Sequence, residues 1–469
     1  MSSDTNSPQS QNHSIYLPLF LLYVIILIEG FVTISLEILT LRQMIPFVGN
    51  SVTVTSLIIG VFLLFLAYGY RQGGKVDEHF IPVLTRNFCI AAVLLGIGLS
   101  YPFIDIYFLV YKKLFNATLM GGLLIYLLCI TAPLVYLLGQ TVPITMHLHK
   151  NQDKVGLIGG NVLHVSTIGS FLGSVLTTLI LMHYFGVAQT VFVNFCLLFI
   201  LVIFLNLREL LLTPILLLFF CSFIVIAVNI DFGKAAFIMS NNYGNYSVED
   251  NEEYYNTHGK VLMINRSGSS YLNTEKKAFP YIELIKRILF DDLKLTNKEI
   301  LVLGAGGFTI SAQGAHDNHF TYVDVDPELP DLVKKHFLEK IQGQVVIQDA
   351  RQFLLVNSKK YDVIIIDTFS NRLSVPTHLL TKEYYELMAS RIKPEGYAIF
   401  NVVANPLLND KYAKRMDNTI RSVFGSCMAI PTKYADQNSN IIYVCHKNIN
   451  DNLIYIDNSN KVDFDHNLN

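Results

Sequence analysis

Charge is scarce in the first half of this chain. Residues 1–230 carry nine Lys/Arg and eight Asp/Glu, whereas residues 231–469 carry 26 and 29, a balance of −3. So few charges over that length exclude an ordinary water-exposed domain and mark a membrane domain; the second half has the composition of a water-soluble one. Neither half is strongly basic, which argues against nucleic acid as a partner. Cysteines paired at metal-ligand spacing are missing too, so no metal is expected. Of the six cysteines, Cys89, Cys129, Cys196 and Cys221 fall in apolar runs and read as buried thiols. Cys427 and Cys445 lie on two late strands and could face each other, which by itself assigns no redox compartment. A basic leader is absent as well. Residues 1–14 are polar, Ser- and Asn-rich and expected to be disordered, and the apolar run behind them is too long for a cleaved signal.

What the first half does have is seven apolar runs of spanning length, at roughly 15–40, 52–70, 87–110, 119–142, 156–183, 187–206 and 210–230. A multi-pass membrane protein is expected, with the lipid bilayer as its first partner. With seven spans, Arg71, Lys75, Arg86, Lys150, Lys154 and Arg208 collect on one side, and Arg42, Lys112 and Lys113 on the other. The positive-inside rule then puts the N-terminus in the cytoplasm and the soluble domain outside, although a nucleoside cofactor would want the reverse. Glu29 and Glu37 are eight positions apart, about 80° around a helix of ~3.6 residues per turn, so both could face the bundle interior. They read either as a cation site or as a buried ion pair, and Arg42, one turn beyond Glu37, favours the pair. Gly169 and Gly173 have the small-xxx-small spacing of close helix packing. Pro102, Pro133 and Pro143 are expected to kink or end helices.

From about residue 231 the texture changes. Alternating runs at Tyr243–Val248 and Val261–Ile264 predict one or two β-hairpins, and a helix is expected from about Ala278 to Leu293. Strands and helices then alternate: strand 300–304, a helix, strand 320–325, helix 327–339, strand 345–348, helix 350–356, strand 361–367, helix 381–392, strand 396–403 and helix 410–424. Strands near 427–431 and 440–445, joined without a helix, predict an antiparallel edge. This is a Rossmann-like, doubly wound α/β sheet, in which ligands gather at the carboxyl ends of the strands. The expected layout is a disordered 1–14, a transmembrane 15–230, a hairpin lead-in 231–277, an α/β domain 278–448 and a tail 449–469.

Chemistry concentrates at those strand ends. The run Ile300–Leu303 leads into Gly304-Ala305-Gly306-Gly307, where glycines permit a tight turn and a following helix would offer its free N–H groups to a ligand. Asp324 ends the next strand, twenty positions after Gly304, the separation at which an acid takes the hydroxyls of a ribose. Asp349 and Asp367 end the third and fourth strands. One strand-end Asp is as easily a helix cap as a ligand, but three behind a glycine turn point to a nucleoside-containing cofactor.

The segment from about Tyr243 to His446 resembles the spermidine synthase (polyamine aminopropyltransferase) family. It does so through Gly-Lys-Val-Leu at 259–262, Tyr281-Ile-Glu283, Val-Leu-Gly-Ala-Gly-Gly at 302–307, Val-Asp-Val-Asp-Pro at 323–327, Gln-Asp-Ala at 348–350, Tyr-Asp-Val-Ile-Ile-Ile-Asp at 361–367, Leu-Thr-Lys-Glu-Tyr-Tyr at 380–385 and Lys-Pro-Glu-Gly at 393–396. Leu36–Arg42 and Gly139–Pro143 resemble the multi-pass region fused to such domains in some bacterial proteins, which implies a bacterial inner (plasma) membrane as the location. The resemblance implies decarboxylated S-adenosylmethionine as donor, held by Gly304, Gly306, Gly307, Asp324 on the ribose, and Asp349 with Ala350 at the adenine. It implies Asp367 as the base that takes a proton from the attacking amine, since an amine of pKa ~10 is protonated at neutral pH and cannot attack a sulfonium. Tyr243, Glu283 and Ser370 fall at the implied substrate positions.

Three departures bear on the substrate. Gly307 and Ser370 stand where the family usually has Asp, and Tyr243-Gly244 stands for its Tyr-Gln. The first reading is therefore a membrane-anchored aminopropyltransferase-like enzyme acting on a small-molecule amine, a homo-oligomer being compatible with the sequence. The second is a methyltransferase of the same fold using intact S-adenosylmethionine. The third is a membrane binding or transport protein whose soluble domain senses a nucleoside or polyamine without catalysis.

Overall fold

The structure, a computed structural model, describes residues 18–446 apart from 50, 116–117, 149–154, 207–211, 253, 256, 369–376 and 426. The expected disordered N-terminus, the tail 449–469 and Ser370 lie outside the described residues. The chain divides into two compact units, Met1–Gly244 and Asn245–Asn469.

The first unit is helical. Among the described residues six helices are long and apolar enough to cross a membrane: Leu19–Val48, Val52–Gly73, Phe80–Gly98, Leu119–His147, Gly156–Asn206 and Leu212–Ala236. The expected runs at 156–183 and 187–206 fall together in the fifth, whose helical geometry breaks at Gly186, with φ +79°. The run expected at 87–110 is split between Phe80–Gly98 and a second helix, Tyr101–Phe115. Pro102 sits in the first turn of that second helix, where its missing N–H leaves no bond unmade. Pro133 follows a π-helical turn, Leu127–Thr131: a proline cannot bond the carbonyl one turn back, and the backbone widens to accommodate it.

Small residues draw two of these helices together, as their spacing predicts. A Cβ on Gly169 would lie 2.2 Å from the Leu27 carbonyl oxygen, and one on Gly173 would lie 2.3 Å from that of Phe31. The Glu37–Arg42 pairing is not what the structure shows. Arg42 donates from Nε and Nη2 to the Asn241 carbonyl, at 3.3 and 2.8 Å, and no ion pair joins it to Glu37 among the described residues. A guanidinium on a long stem reaches a fixed backbone dipole as readily as a neighbouring carboxylate.

The second unit opens with an antiparallel meander: β1 (Asn245–Asn251), β2 (Gly259–Ile264) and β3 (Ser267–Asn273). Asn265 and Arg266 both have positive φ, the two-residue connection whose twist suits a hairpin. Pro280–Arg287 follows as an α-helix and continues as a π-turn through Asp292. The main sheet comprises β4 (Glu299–Leu303), β5 (His319–Asp324), β6 (Gln344–Ile347), β7 (Tyr361–Ile366), β8 (Ile392–Ala404), β9 (Cys427–Pro431) and β10 (Ser439–His446). Its order is β9-β10-β8-β7-β4-β5-β6, with β8 through β6 parallel and β10 antiparallel to both its neighbours. The expected doubly wound sheet with an antiparallel edge is thus observed. Its centre is apolar on both faces, as buried parallel strands require: Leu301, Val302, Leu303, Ile364, Ile365 and Ile366 are all buried.

One expected element is missing. No α-helix follows the glycine turn; the segment holds only the 3-10 turn Thr309–Ser311. Gly314, His316 and Asp317 soon take positive φ, a backbone state no helix contains, so helical propagation stops after one turn. Cys427 and Cys445, partners in register on β9 and β10, are joined by a disulfide.

Candidate functional site

The order β7-β4-β5 places the glycine turn between the ends of two acid-bearing strands. Gly304 leaves β4 with φ +89°, and a Cβ there would lie 2.3 Å from the carbonyl oxygen of Asp367. Only glycine lets the ends of β4 and β7 close up, and the turn is bonded on both sides: Asp367 N donates to Leu303 O between β7 and β4, and Gly304 N to Val323 O of β5, each at 2.9 Å.

Asp367 is held at both oxygens. Asn401 Nδ2, from β8, donates to Oδ1 at 2.8 Å, and the Tyr281 hydroxyl, from the helix after β3, donates to Oδ2 at 3.0 Å. Burial pushes its carboxyl above the usual aspartate range, and the two donors pull it part of the way back. Burial and the Asp367 charge together push the Tyr281 phenol well above its ordinary value, so the tyrosine remains a donor. A carboxylate fixed at a known angle, with a raised pKa, is suited to accept a proton.

Asp324, at the end of β5, accepts from Ala305 N at 2.9 Å and from Asp326 N at 3.1 Å. Burial raises its pKa, and those backbone donors oppose the rise. A carboxylate has about four acceptor positions, so Asp324 keeps acceptor capacity for the hydroxyl donors of a ribose. That acceptor capacity fits a nucleoside. Asp326 is spoken for: the Tyr246 hydroxyl of β1 bonds to its Oδ2, and its Oδ1 accepts from Glu328 N.

Asp349 caps the helix Ala350–Val356, accepting from Arg351 N and Gln352 N at 3.0 Å each. His378 Nε2 lies 3.1 Å from its other oxygen. Burial favours the neutral form, but the Gln352 N–H, His378 and the Arg351 N–H outweigh it and hold the pKa below the usual range. Of the three strand-end acids, this is the one that doubles as a cap.

The remaining expected residues are less uniform. Gly306 has φ +50°, as a tight turn needs, and Ala350 is buried at the start of its helix. Gly307 donates its N–H to Ser270 Oγ at 2.8 Å, and a Cβ there would lie 2.5 Å from Phe337 and 2.8 Å from Ser270 Cβ. Side chains of this unit fill the place where the family usually has Asp. Glu283 is engaged locally, accepting from Ala278 N just before its helix at 2.7 Å and from Lys286 Nζ within it at 2.8 Å. Tyr243 lies in a turn at the end of the first unit, 45% exposed, its N–H bonded to Asn241 Oδ1. Tyr281, Asn401 and His378 were not singled out from sequence as site residues. Tyr281 stood inside a quoted motif. Asn401 is marked only as a polar residue in the apolar run Ala398–Val403, and nothing local marks His378.

A doubly wound α/β domain with an acid beside a glycine turn, and a restrained carboxylate at the neighbouring strand end, has the layout in which a nucleoside ligand is held at the carboxyl ends of the strands. More specifically, residues 278–454 match the family model described as the Spermine/spermidine synthase domain. Over 138 residues the chain is 33% identical to polyamine aminopropyltransferase 2 of Hyperthermus butylicus, covering 27% of this chain and 45% of that one. Over 188 residues it is 30% identical to the polyamine aminopropyltransferase of Saccharolobus solfataricus, covering 38% and 61%. The chain thus spans about half the length of these curated relatives. Among solved structures it is similar to spermidine synthase from Thermotoga maritima, at 18% identity and TM-score 0.37, over 45% of this chain and 71% of that one.

Proposed function

We propose that the protein is a membrane-anchored transferase that moves an aminopropyl group from decarboxylated S-adenosylmethionine to a small amine. The observation that carries the reading is the Tyr281–Asp367–Asn401 arrangement at the strand end beside the glycine turn. Asp324 would take the ribose hydroxyls, and Asp349 with Ala350 would meet the base. The donor would supply a carbon made electrophilic by the adjoining sulfonium; the amine nitrogen would bond to that carbon as its C–S bond breaks, and the thioether 5′-methylthioadenosine would leave. Asp367 accepts the proton of the incoming amine, and Tyr281 and Asn401 keep its two oxygens in place while it does so. The helical unit would anchor the chain in a bilayer. At ~1.5 Å per residue the 51-residue helical stretch exceeds twice the ~30 Å hydrocarbon layer, which favours two crossings there. The charge pattern between spans and the Cys427–Cys445 disulfide both favour the oxidising side for the second unit.

One observation favours a second reading, methyl transfer from intact S-adenosylmethionine. The space around Gly307 admits no carboxylate, so the acid that would hold the donor's amine end is absent, and its absence spares a donor carboxylate from repulsion. Titration calorimetry of the full chain in detergent, with decarboxylated donor, intact donor and 5′-methylthioadenosine, separates the two. Tightest binding of the decarboxylated donor is expected. Preference for the intact donor sinks aminopropyl transfer, and no binding of any of the three sinks both enzyme readings.

A further inference from the structure

The transferase reading makes no use of Glu29, in the middle of the first apolar helix. Its side chain is almost wholly buried, at 2% exposure. Thr33, one turn on, donates to Oε1 at 2.8 Å, and Oε2 is buried with no hydrogen-bond partner. Other buried atoms of this unit also lack a hydrogen-bond partner, among them the Thr131 and Thr141 hydroxyls and the Oδ1 atoms of Asn194 and Asn229, but these are neutral groups, whereas Glu29 is an almost wholly buried carboxylic acid. Asn87 donates to Gln140, while Thr177 and Asn194 both donate to Ser35. Arg42, the cation the sequence offers for an ion pair on this helix, is turned to the Asn241 carbonyl.

Among the described residues, the helices packed against Glu29 offer it no ion-pair partner. Gly30 meets Ser166 and Ser170 of the helix Val155–Leu176, whose titratable residue, His164, is exposed. From Val52–Gly73, Tyr70 lies near enough to feel the carboxylate's charge, while Arg71 is exposed, as is His147 on Thr141–His147. An ionised carboxylate with one hydrogen bond in an apolar bundle is costly by several kcal/mol, so an isolated Glu is retained there with a cation or a proton upon it.

We infer that Glu29 is a monovalent-cation site of the helical unit, taking a proton or an alkali-metal ion on its unpartnered oxygen. The site is separate from the transferase crevice and stands whatever the transferred group. It gives the helical unit a task beyond anchoring, since a buried group that loads and unloads a cation can couple helix movement to an ion gradient.

The test uses the full-length chain in detergent micelles and dicyclohexylcarbodiimide, which reacts with protonated carboxyls in apolar surroundings; the labelled peptide is read by mass spectrometry. Label is expected on Glu29 in sodium-free buffer and not on the half-buried Glu37, and it should vanish in Glu29→Gln. Loss of label in excess sodium, at a pH where it otherwise forms, identifies an alkali-metal ion. Loss only on raising the pH identifies a proton. Absence of label on wild-type Glu29 at every pH without sodium overturns the inference, as does label insensitive to both pH and sodium. The wild-type measurement stands even if the variant fails to fold, and none of these outcomes depends on donor binding.

Discussion

At the scale of single residues, Asp367 separates an enzyme from a binding module. Asparagine in its place keeps the shape and still accepts a hydrogen bond but cannot hold a proton. With Asp367→Asn, turnover should fall by ~10²–10⁴ while donor affinity stays within a few-fold. Unchanged turnover, measured beside affinity on the same preparation, removes the base assignment. The pH profile carries a second expectation. Burial raises Asp367, so its deprotonated, base-competent form is lost as pH falls through a value above the ordinary aspartate range, and turnover should fall there too. The sign for stability is opposite. A carboxyl with a raised folded pKa stabilises the fold when protonated, and that contribution fades as pH rises above the unfolded value. Tyr281→Phe removes a bond that favours the charged form, so the acid limb should move to higher pH. Turnover should drop by about 10- to 100-fold, the worth of one hydrogen bond to a charged group. A pH–rate profile with an unmoved limb would show that the tyrosine does not act through Asp367.

At the scale of elements, the glycine turn decides how closely β4 and β7 can end. Gly304→Ala adds a Cβ 2.3 Å from a backbone oxygen and forces a side chain into φ +89°. A loss of at least about 2 kcal/mol is expected, read as a lower denaturation midpoint of the second unit, together with weakened nucleoside binding. Wild-type stability in that variant would mean the strand ends can part freely. The turn, the alternation of strands and helices and the three strand-end acids were legible because each is a local pattern: an apolar run, a glycine cluster, an acid at a boundary. The partners of those acids were not. Asn401 meets Asp367 across 34 positions and Tyr281 across 86, and no spacing rule brings them together. Gly307 was legible as a departure, but its reason, Phe337 and Ser270 filling the space, belongs to packing. The expected helix after Gly307 failed because strand–turn–helix is an average habit, and the positive-φ residues that break it here cannot be told from sequence alone.

At the scale of the whole molecule, the same division held between what is local and what is not. Apolar runs announced the helical unit, and Gly169 and Gly173 announced its closest packing. Arg42 was assigned the partner nearest in sequence, and its described bond goes instead to a carbonyl 199 positions away.

The Cys427–Cys445 disulfide has a reach beyond the hairpin it closes. It fixes β9 to β10; Asn440 of β10 donates at 2.8 Å to Asn401, and Asn401 in turn orients Asp367. A thiol reductant in the storage buffer is therefore a slow-acting handle on the base. Opening an 18-residue loop should cost about 3 kcal/mol of stability and let the sheet edge fray. Incubation with dithiothreitol should lower turnover and the denaturation midpoint together, and reoxidation should restore both. A chain produced in a reducing cytosol should begin in the weakened state, whereas chain taken from its native cells with thiols trapped by alkylation should show the pair bonded. Two free thiols in that sample would place the second unit on the reducing side instead.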